Sequence, residues 1–330
     1  MAILAFAGAE DGTAEVITGG TVAQSSTYAR TGTYSFRLNG YTAEYTNTVS
    51  LVVSPKSTLF FQGAIRGSAN PINDGFGLVA WKKGATIIGV VTVKNDMTGM
   101  TVWRGNKETV LGSIGITIPL TTFLLLEFQV TVHDTTGVIK VWANGQLVFD
   151  YAGDTKPGAD TTIDNVTYAQ VSATINNYTY WDDLIVADDQ GLYFNTGTNG
   201  ARIHRVAITG PGNYAQWTPQ GDAANWNCIK ETPPSIDKYV ESTTTGQKDS
   251  YEPANAPVVG GIAAVVVRYW AQGGITLKRL CRSGGTDYLG SQLTMTGAFG
   301  KTDDIMYEHP AGGAWTESSF NAIEVGQEKV

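Results

Sequence analysis

A chain of 330 residues is long enough for two domains that each bury a core, so neither a disulfide nor a metal is required for folding. The 22 basic and 30 acidic residues leave a net charge of −8 spread along the sequence, which speaks against the concentrated basic face that nucleic acid binding needs. No segment reaches the roughly 18 consecutive apolar residues of a membrane helix, and the start MAILAFAGAEDG lacks the basic region and apolar run of a secretory signal, so cytoplasmic synthesis is expected.

Gly is abundant, Thr, Val, Asn and Tyr are in surplus, and helical periodicity is nearly absent. Alternation at period two recurs instead, bounded by Gly, Asn, Asp and Thr clusters, which predicts strands joined by tight turns. Thr33 to Leu38 alternates cleanly and ends at the turn pair Asn39-Gly40. Candidate strands follow at Leu59 to Ile65, Gly75 to Trp81, Ile87 to Val93 and Met100 to Trp103. Phe123 to Val132 alternates less strictly, as suits a central strand buried on both faces. Gly137 to Phe149 is two alternating runs joined at Asn144-Gly145, a pair that accepts the positive φ of a type I′ hairpin turn.

Tyr178 to Val186 closes the first half, and Asp188-Asp189-Gln190-Gly191 breaks the pattern. The expected division is therefore 1–190 and 191–330. Ala201 to Thr209 predicts a fresh strand, and Pro211 to Pro257 a long loop that wraps a surface or a neighbouring subunit. Gly261 to Trp270, Ile275 to Ser283 and Asn321 to Val325 read as further strands, the first apolar enough to pair across subunits. Two cysteines, Cys228 and Cys281, are expected as buried free thiols rather than a disulfide. The fold class is all-β.

The first half resembles the concanavalin A-like jelly roll of laminin-G modules, legume lectins and many glucanases. Phe123 to Val130, the hairpin Val138 to Phe149, and Tyr180-Trp181-Asp182-Asp183-Leu184-Ile185-Val186 carry that resemblance. The second half holds, in order, Gly212 to Pro219, Gly246 to Tyr251, Arg282 to Tyr288, Ala314-Trp315-Thr316 and Asn321 to Gly326. Together these blocks look like a C-terminal unit of tailed-phage and prophage virion proteins, often found behind a lectin-like first domain. The resemblance implies a second β-sandwich and a structural part of the particle, tail-, fibre- or capsid-associated. Other virion proteins and further copies of the chain are the implied partners. A capsid decoration protein and a receptor adhesin for host surface glycan are the alternatives.

A glucanase on the jelly roll would carry Glu-x-Asp-x-x-Glu on one strand, and this triplet is absent. Glu127 stands alone in an apolar strand and reads as a strand-edge or hydrogen-bonded carboxylate. The histidines His133, His204 and His309 have no neighbour at metal-ligand spacing, and there is no Gly-x-Ser-x-Gly elbow. The expectation is a chain without enzymatic activity or cofactor. Asp182 and Asp183 are the candidate Ca²⁺ ligands, with Asp150, Asp154 and Asn144 as further oxygens. Alternation allows only one of Asp182 and Asp183 to face a given site; the plainer reading has one accepting backbone hydrogen bonds and the other solvated. Trp81, Trp103, Trp142 and Trp181 are the candidates for stacking on sugar, with about one of the four expected to be exposed. Trp217 and Trp226, in the loop-rich stretch, are read as structural or interface anchors.

Overall fold

The computed structural model describes residues 3–10, 16–40, 43, 45–68, 75–170, 177–188, 200–231, 234–257 and 261–330. They fall into two compact units, Met1–His204 and Arg205–Val330. Strands dominate both, and among the described residues no helix is long and apolar enough to cross a membrane.

The front unit contains β1 (Ile3–Ala7), β2 (Ile17–Gly19), β3 (Val22–Ser25), β4 (Ser35–Asn39) and β5 (Thr48–Lys56). After these come β6 (Thr58–Gly67), β7 (Phe76–Lys83), β8 (Thr86–Val93), β9 (Met100–Arg104) and β10 (Thr109–Ile114). It ends with β11 (Leu124–Thr131), β12 (Gly137–Ala143), β13 (Gln146–Gly153), β14 (Ile163–Ala169) and β15 (Tyr178–Ala187). An eight-stranded sheet runs β13-β12-β11-β6-β15-β4-β3, with β1 also on β15; a seven-stranded sheet runs β10-β9-β8-β7-β14-β5-β2. This is a jelly-roll sandwich, as the resemblance implied.

Alternation sends every second side chain into the space between the sheets. Phe36, Phe61, Phe128 and Trp181 from the larger sheet meet Leu78, Trp81, Val91 and Tyr168 from the smaller, all buried. Phe61 stacks on Phe128 at 4.8 Å and meets Trp81 at 6.1 Å, while Tyr168 lies edge-on to Trp181 at 5.0 Å. The polar ends of the last pair are tied off: Tyr168 Oη donates to Gln62 O and Trp181 Nε1 to Ala169 O. Gly63 is required here, since a Cβ would stand 2.8 Å from the Tyr168 ring and 3.0 Å from Trp181. The β12–β13 hairpin turns at Asn144 (φ 47°) and Gly145 (φ 82°), the left-handed pair read from the sequence.

The second unit contains β16 (Ile208–Ala215), β17 (Thr218–Gln220), α1 (Asn225–Ile229), β18 (Tyr239–Glu241), β19 (Lys248–Pro253) and β20 (Val265–Ala271). Beyond them lie β21 (Thr276–Ser283), β22 (Thr286–Thr294), β23 (Gly300–Met306), α2 (Glu317–Phe320) and β24 (Ile323–Lys329). A five-stranded sheet runs β16-β19-β24-β21-β22, and β17-β18 and β20-β23 form two-stranded sheets. Val265, Cys281, Met306, Trp315, Phe320 and Ile323 build its core.

Three sequence expectations change. The stretch 211–257 is not one wrapping loop: it carries most of β16, then β17, α1, β18 and β19. Its prolines masked the strands, yet Pro211 lies on the edge strand β16, where a missing N–H costs no ladder bond. Residues 201–207 form no strand; at the end of the front unit Gln62 bonds both N and O of Ala201, and Asp183 accepts from Ile203 N. The apolar run around Val265 pairs with β23 of its own chain. Cys228 and Cys281 are free and buried.

Candidate functional site

The outer face of the eight-stranded sheet gathers an unusual set of polar side chains. In the run TLFFQGAIRG of β6, Leu59, Phe61 and Ile65 enter the core, so Gln62 and Arg66 must face outward. Register places Tyr180 of β15 between Arg66 of β6 and Arg37 of β4, giving a row Arg37–Tyr180–Arg66 across three strands. A second row runs Trp142–Glu127–Gln62 across β12, β11 and β6. Gln62 and Arg66 are four residues apart on one strand, so the rows are separated by roughly 13 Å.

In the first row the Arg66 guanidinium lies 3.3 Å from the ring centroid of Tyr28 and 5.8 Å from that of Tyr180. Arg37 sits 4.8 Å over Tyr178. Tyr28 meets Tyr180 edge-on at 5.1 Å, and Tyr178 is 6.4 Å from Tyr180. Arg66 is only 6 % exposed, yet its Nε and Nη1 have no hydrogen-bond partner among the described residues. Burial raises the Tyr180 hydroxyl above its ordinary value, with Arg37 and Arg66 pulling the other way.

In the second row Glu127 is fully buried, and both carboxylate oxygens lack a partner among the described residues. Burial pushes its carboxyl up to about 7, against the opposing field of Arg30. Glu127 is therefore neither a strand-edge nor a hydrogen-bonded carboxylate, as its sequence context suggested: β11 lies inside the sheet between β12 and β6.

Between the rows the aspartate pair departs from alternation. Asp183 has φ 51°, and the β15–β6 register shifts between Asp182 and Ile185. This left-handed residue, tolerated by Asp better than by most side chains, turns both carboxylates onto one segment. Asp182 Oδ2 accepts from the amides of Arg30 (2.7 Å) and Thr31 (3.1 Å). Asp183 Oδ2 accepts from Arg30 Nη1 (2.5 Å) and Thr31 Oγ1 (2.9 Å). Neither is solvated, since both are fully buried. Burial first, and the adjacent Asp183 carboxylate second, raise Asp182 to about 8, while three backbone amides oppose that shift.

The oxygens expected to assist a Ca²⁺ site are engaged elsewhere. Asn144 Oδ1 accepts from Leu125 N, Asp150 pairs with Lys140 at 3.5 Å, and Asp154 pairs with Arg104. Among the described residues no three of His, Cys, Asp or Glu gather as a metal-binding group.

The four sugar-stacking candidates separate. Trp81 and Trp181 point into the sandwich with no exposed surface, so neither ring can meet a saccharide. Alternation put each on one face of its strand without saying which face was the core. Trp103 is half-buried on β9, its Nε1 bonded to Thr92. Trp142 lies on the outer face beside Glu127 and is 7 % exposed. Tyr28, Tyr178, Arg37 and Arg66 were missed by sequence reading; the signal was Gln62 and Arg66 at the even positions of an otherwise apolar strand.

In the second unit Trp217 anchors its segment inside its own unit, with Nε1 donating to Gln247 O. Trp226, half-buried on α1, lies under Lys230 Nζ at 4.4 Å. Four of the five sequence blocks of this half meet in one polar network. Asp287 accepts from Tyr214 Oη (2.8 Å), Lys248 Nζ (2.9 Å) and Arg282 Nη1 (2.5 Å). Glu324 accepts from Asn213 N (2.7 Å) and Ser250 Oγ (2.6 Å). A shallow cleft of about 580 Å³ beside it is lined by Thr209, Glu252, Arg282, Asn321 and Glu324, among others.

No protein-family profile matches the chain, and no curated protein sequence matches it. Solved structures do share the fold. The endo-β-1,4-glucuronan lyase of the fungus Trichoderma reesei is 15 % identical over 55 % of this chain and 91 % of that one, with a TM-score of 0.42. Alginate lyase Aly36B is 14 % identical over 52 % and 87 %, with a TM-score of 0.37. The carbohydrate-binding module CBM66 from Bacillus subtilis is 10 % identical over 56 % and 97 %, with a TM-score of 0.31. Identities this low speak to the fold alone. The expectation of a chain without enzymatic activity does not stand: the missing Glu-x-Asp-x-x-Glu triplet excludes one glucanase arrangement rather than catalysis as such, and the solved structures similar to the chain include lyases.

Proposed function

We propose that the chain is a component of a bacteriophage particle, tail-, fibre- or capsid-associated, whose front unit engages a surface glycan through the outer face of its larger sheet. The observation that carries the glycan reading is the row Arg37–Tyr180–Arg66 with Tyr28 and Tyr178 around it. Tyr28, which is exposed, and Tyr178, which is half-buried, offer ring faces that can stack on the apolar faces of sugars, and guanidinium groups donate to sugar oxygens. Such a combination on a rigid sheet is what a saccharide site needs.

The particle reading is supported by the second half. The blocks that resemble virion proteins are far apart in sequence, yet Tyr214, Lys248 and Arg282 all bind Asp287, while Asn213 and Ser250 bind Glu324. A network of this kind holds a five-stranded sheet in one register, as a rigid assembly module requires. Synthesis in the host cytoplasm, homo-oligomerisation and contact with other virion proteins belong to the same proposal.

Three measurements test it. Mass spectrometry of purified particles reads the assembly role, and finding no peptide of this chain overturns it. A glycan array probed with the full chain reads the binding role, and no signal from any host polysaccharide overturns that. Appearance of new chain ends during incubation distinguishes cleavage from binding.

A further inference from the structure

We infer that the Arg66 end of this face is a subsite for a carboxylate-bearing sugar, an inference that rests on the glycan-binding reading. A buried guanidinium ordinarily spends its donors on carboxylates, carbonyls or water, because an unpaired buried charge is costly. Arg66 does not do so. It is 6 % exposed, its Nε and Nη1 are enclosed without a partner among the described residues, and the faces of Tyr28 and Tyr180 pack against it. Stacking on Tyr28 and Tyr180 offsets part of the desolvation while leaving the N–H groups of Nε and Nη1 unused.

The surroundings add a second observation. Arg37 stands in the same row on the other side of Tyr180, so two guanidinium groups flank one tyrosine. The carboxylates closest along β15 are already committed: Asp182 to the amides of Arg30 and Thr31, Asp183 to the Arg30 guanidinium. The row is a local excess of positive charge on a chain whose net charge is −8. A planar carboxylate matches the N–H geometry of guanidinium, whereas a neutral sugar hydroxyl satisfies one donor at a time. Tyr28, 38 % exposed, covers the guanidinium, so its ring is the piece that shifts or stacks as the sugar enters.

The test uses two probes that differ only at C6: a β-1,4-linked glucuronate tetrasaccharide and cellotetraose, its carboxyl-reduced counterpart. Isothermal titration of the full chain is expected to give at least tenfold tighter binding of the acidic probe at low salt. Arg66→Gln is expected to erase that preference, and Arg66→Lys, which keeps charge but not the fork, to retain only part of it. Unchanged melting temperatures for both variants show that the fold is intact. Equal affinity for the two probes, or an undiminished preference in Arg66→Gln, overturns the subsite while leaving glycan binding in place. Failure to bind either probe or any glycan on an array overturns the reading on which the subsite rests.

Discussion

Asp182 and Asp183, neighbours in sequence, turn their carboxylates onto the same two residues, Arg30 and Thr31, because the backbone is left-handed at Asp183. The bulge costs one irregular ladder position in β15. In return it ties the segment around Arg30 to the outer face of the sheet and, through Ile203 N, holds the strap 200–204 there as well. Asp183→Ala is expected to destabilise the front unit by about 2 kcal/mol or more, since it removes the buried acceptor of Arg30 Nη1, Thr31 Oγ1 and Ile203 N. Asp183→Asn keeps a side chain that tolerates positive φ and accepts one bond, so its loss is smaller. Urea unfolding followed by tryptophan fluorescence measures both.

A second expectation concerns pH. The folded carboxyl of Glu127 titrates near 7, above an unfolded value of about 4.3. The folded state therefore holds a proton that the unfolded state releases between these values, and its stability falls as pH rises through that window. The stability is full below about pH 4 and is lost by about pH 7, with a magnitude of about 3 kcal/mol from the displacement of the titration. Glu127→Gln removes the effect. Its melting temperature at pH 8 is expected to rise by roughly 5 °C over the parent chain, with little difference at pH 4.

The hairpin turn gives a third. Gly145 has φ 82°, a conformation that a Cβ penalises, so Gly145→Ala is expected to cost about 1 kcal/mol. Asn144→Gly, at φ 47°, is expected to be near neutral. Thermal unfolding of the two variants separates them.

In the second unit Asp287→Ala removes the common acceptor of Tyr214, Lys248 and Arg282. Lys248 keeps Glu328 at 3.5 Å and Arg282 keeps Glu324 at 4.0 Å, and all these groups are partly solvated. The expected loss is therefore modest, about 1–2 kcal/mol. Hydrogen exchange should quicken in β19, β21 and β22 and stay unchanged in the front unit.

Much of this architecture was legible in the residues. Period-two runs located β6, β7, β8, β9, β11, β12, β13 and β15 to within a few positions, and Asn144-Gly145 named its turn. What escaped has physical reasons. Asp183 sits in an apparently regular strand, and nothing local announces a positive φ at a residue other than Gly. Pro211, Pro219 and Pro253 read as loop, although edge and terminal strand positions tolerate proline. Trp81 and Trp181 looked available for sugar because alternation assigns a face but not its direction. Arg37, Arg66 and Tyr180 come from three strands, and only the register of β4, β15 and β6 makes them one row.

The central claim is that a saccharide lies on the outer face of the eight-stranded sheet at the Arg37–Tyr180–Arg66 row. Hydrogen–deuterium exchange of the full chain with and without a glycan that binds on the array tests it directly. The account predicts slower exchange in the segment around Tyr28–Thr31 and at the row's ends of β4, β6 and β15. Protection confined to the seven-stranded sheet or to the second unit would contradict it.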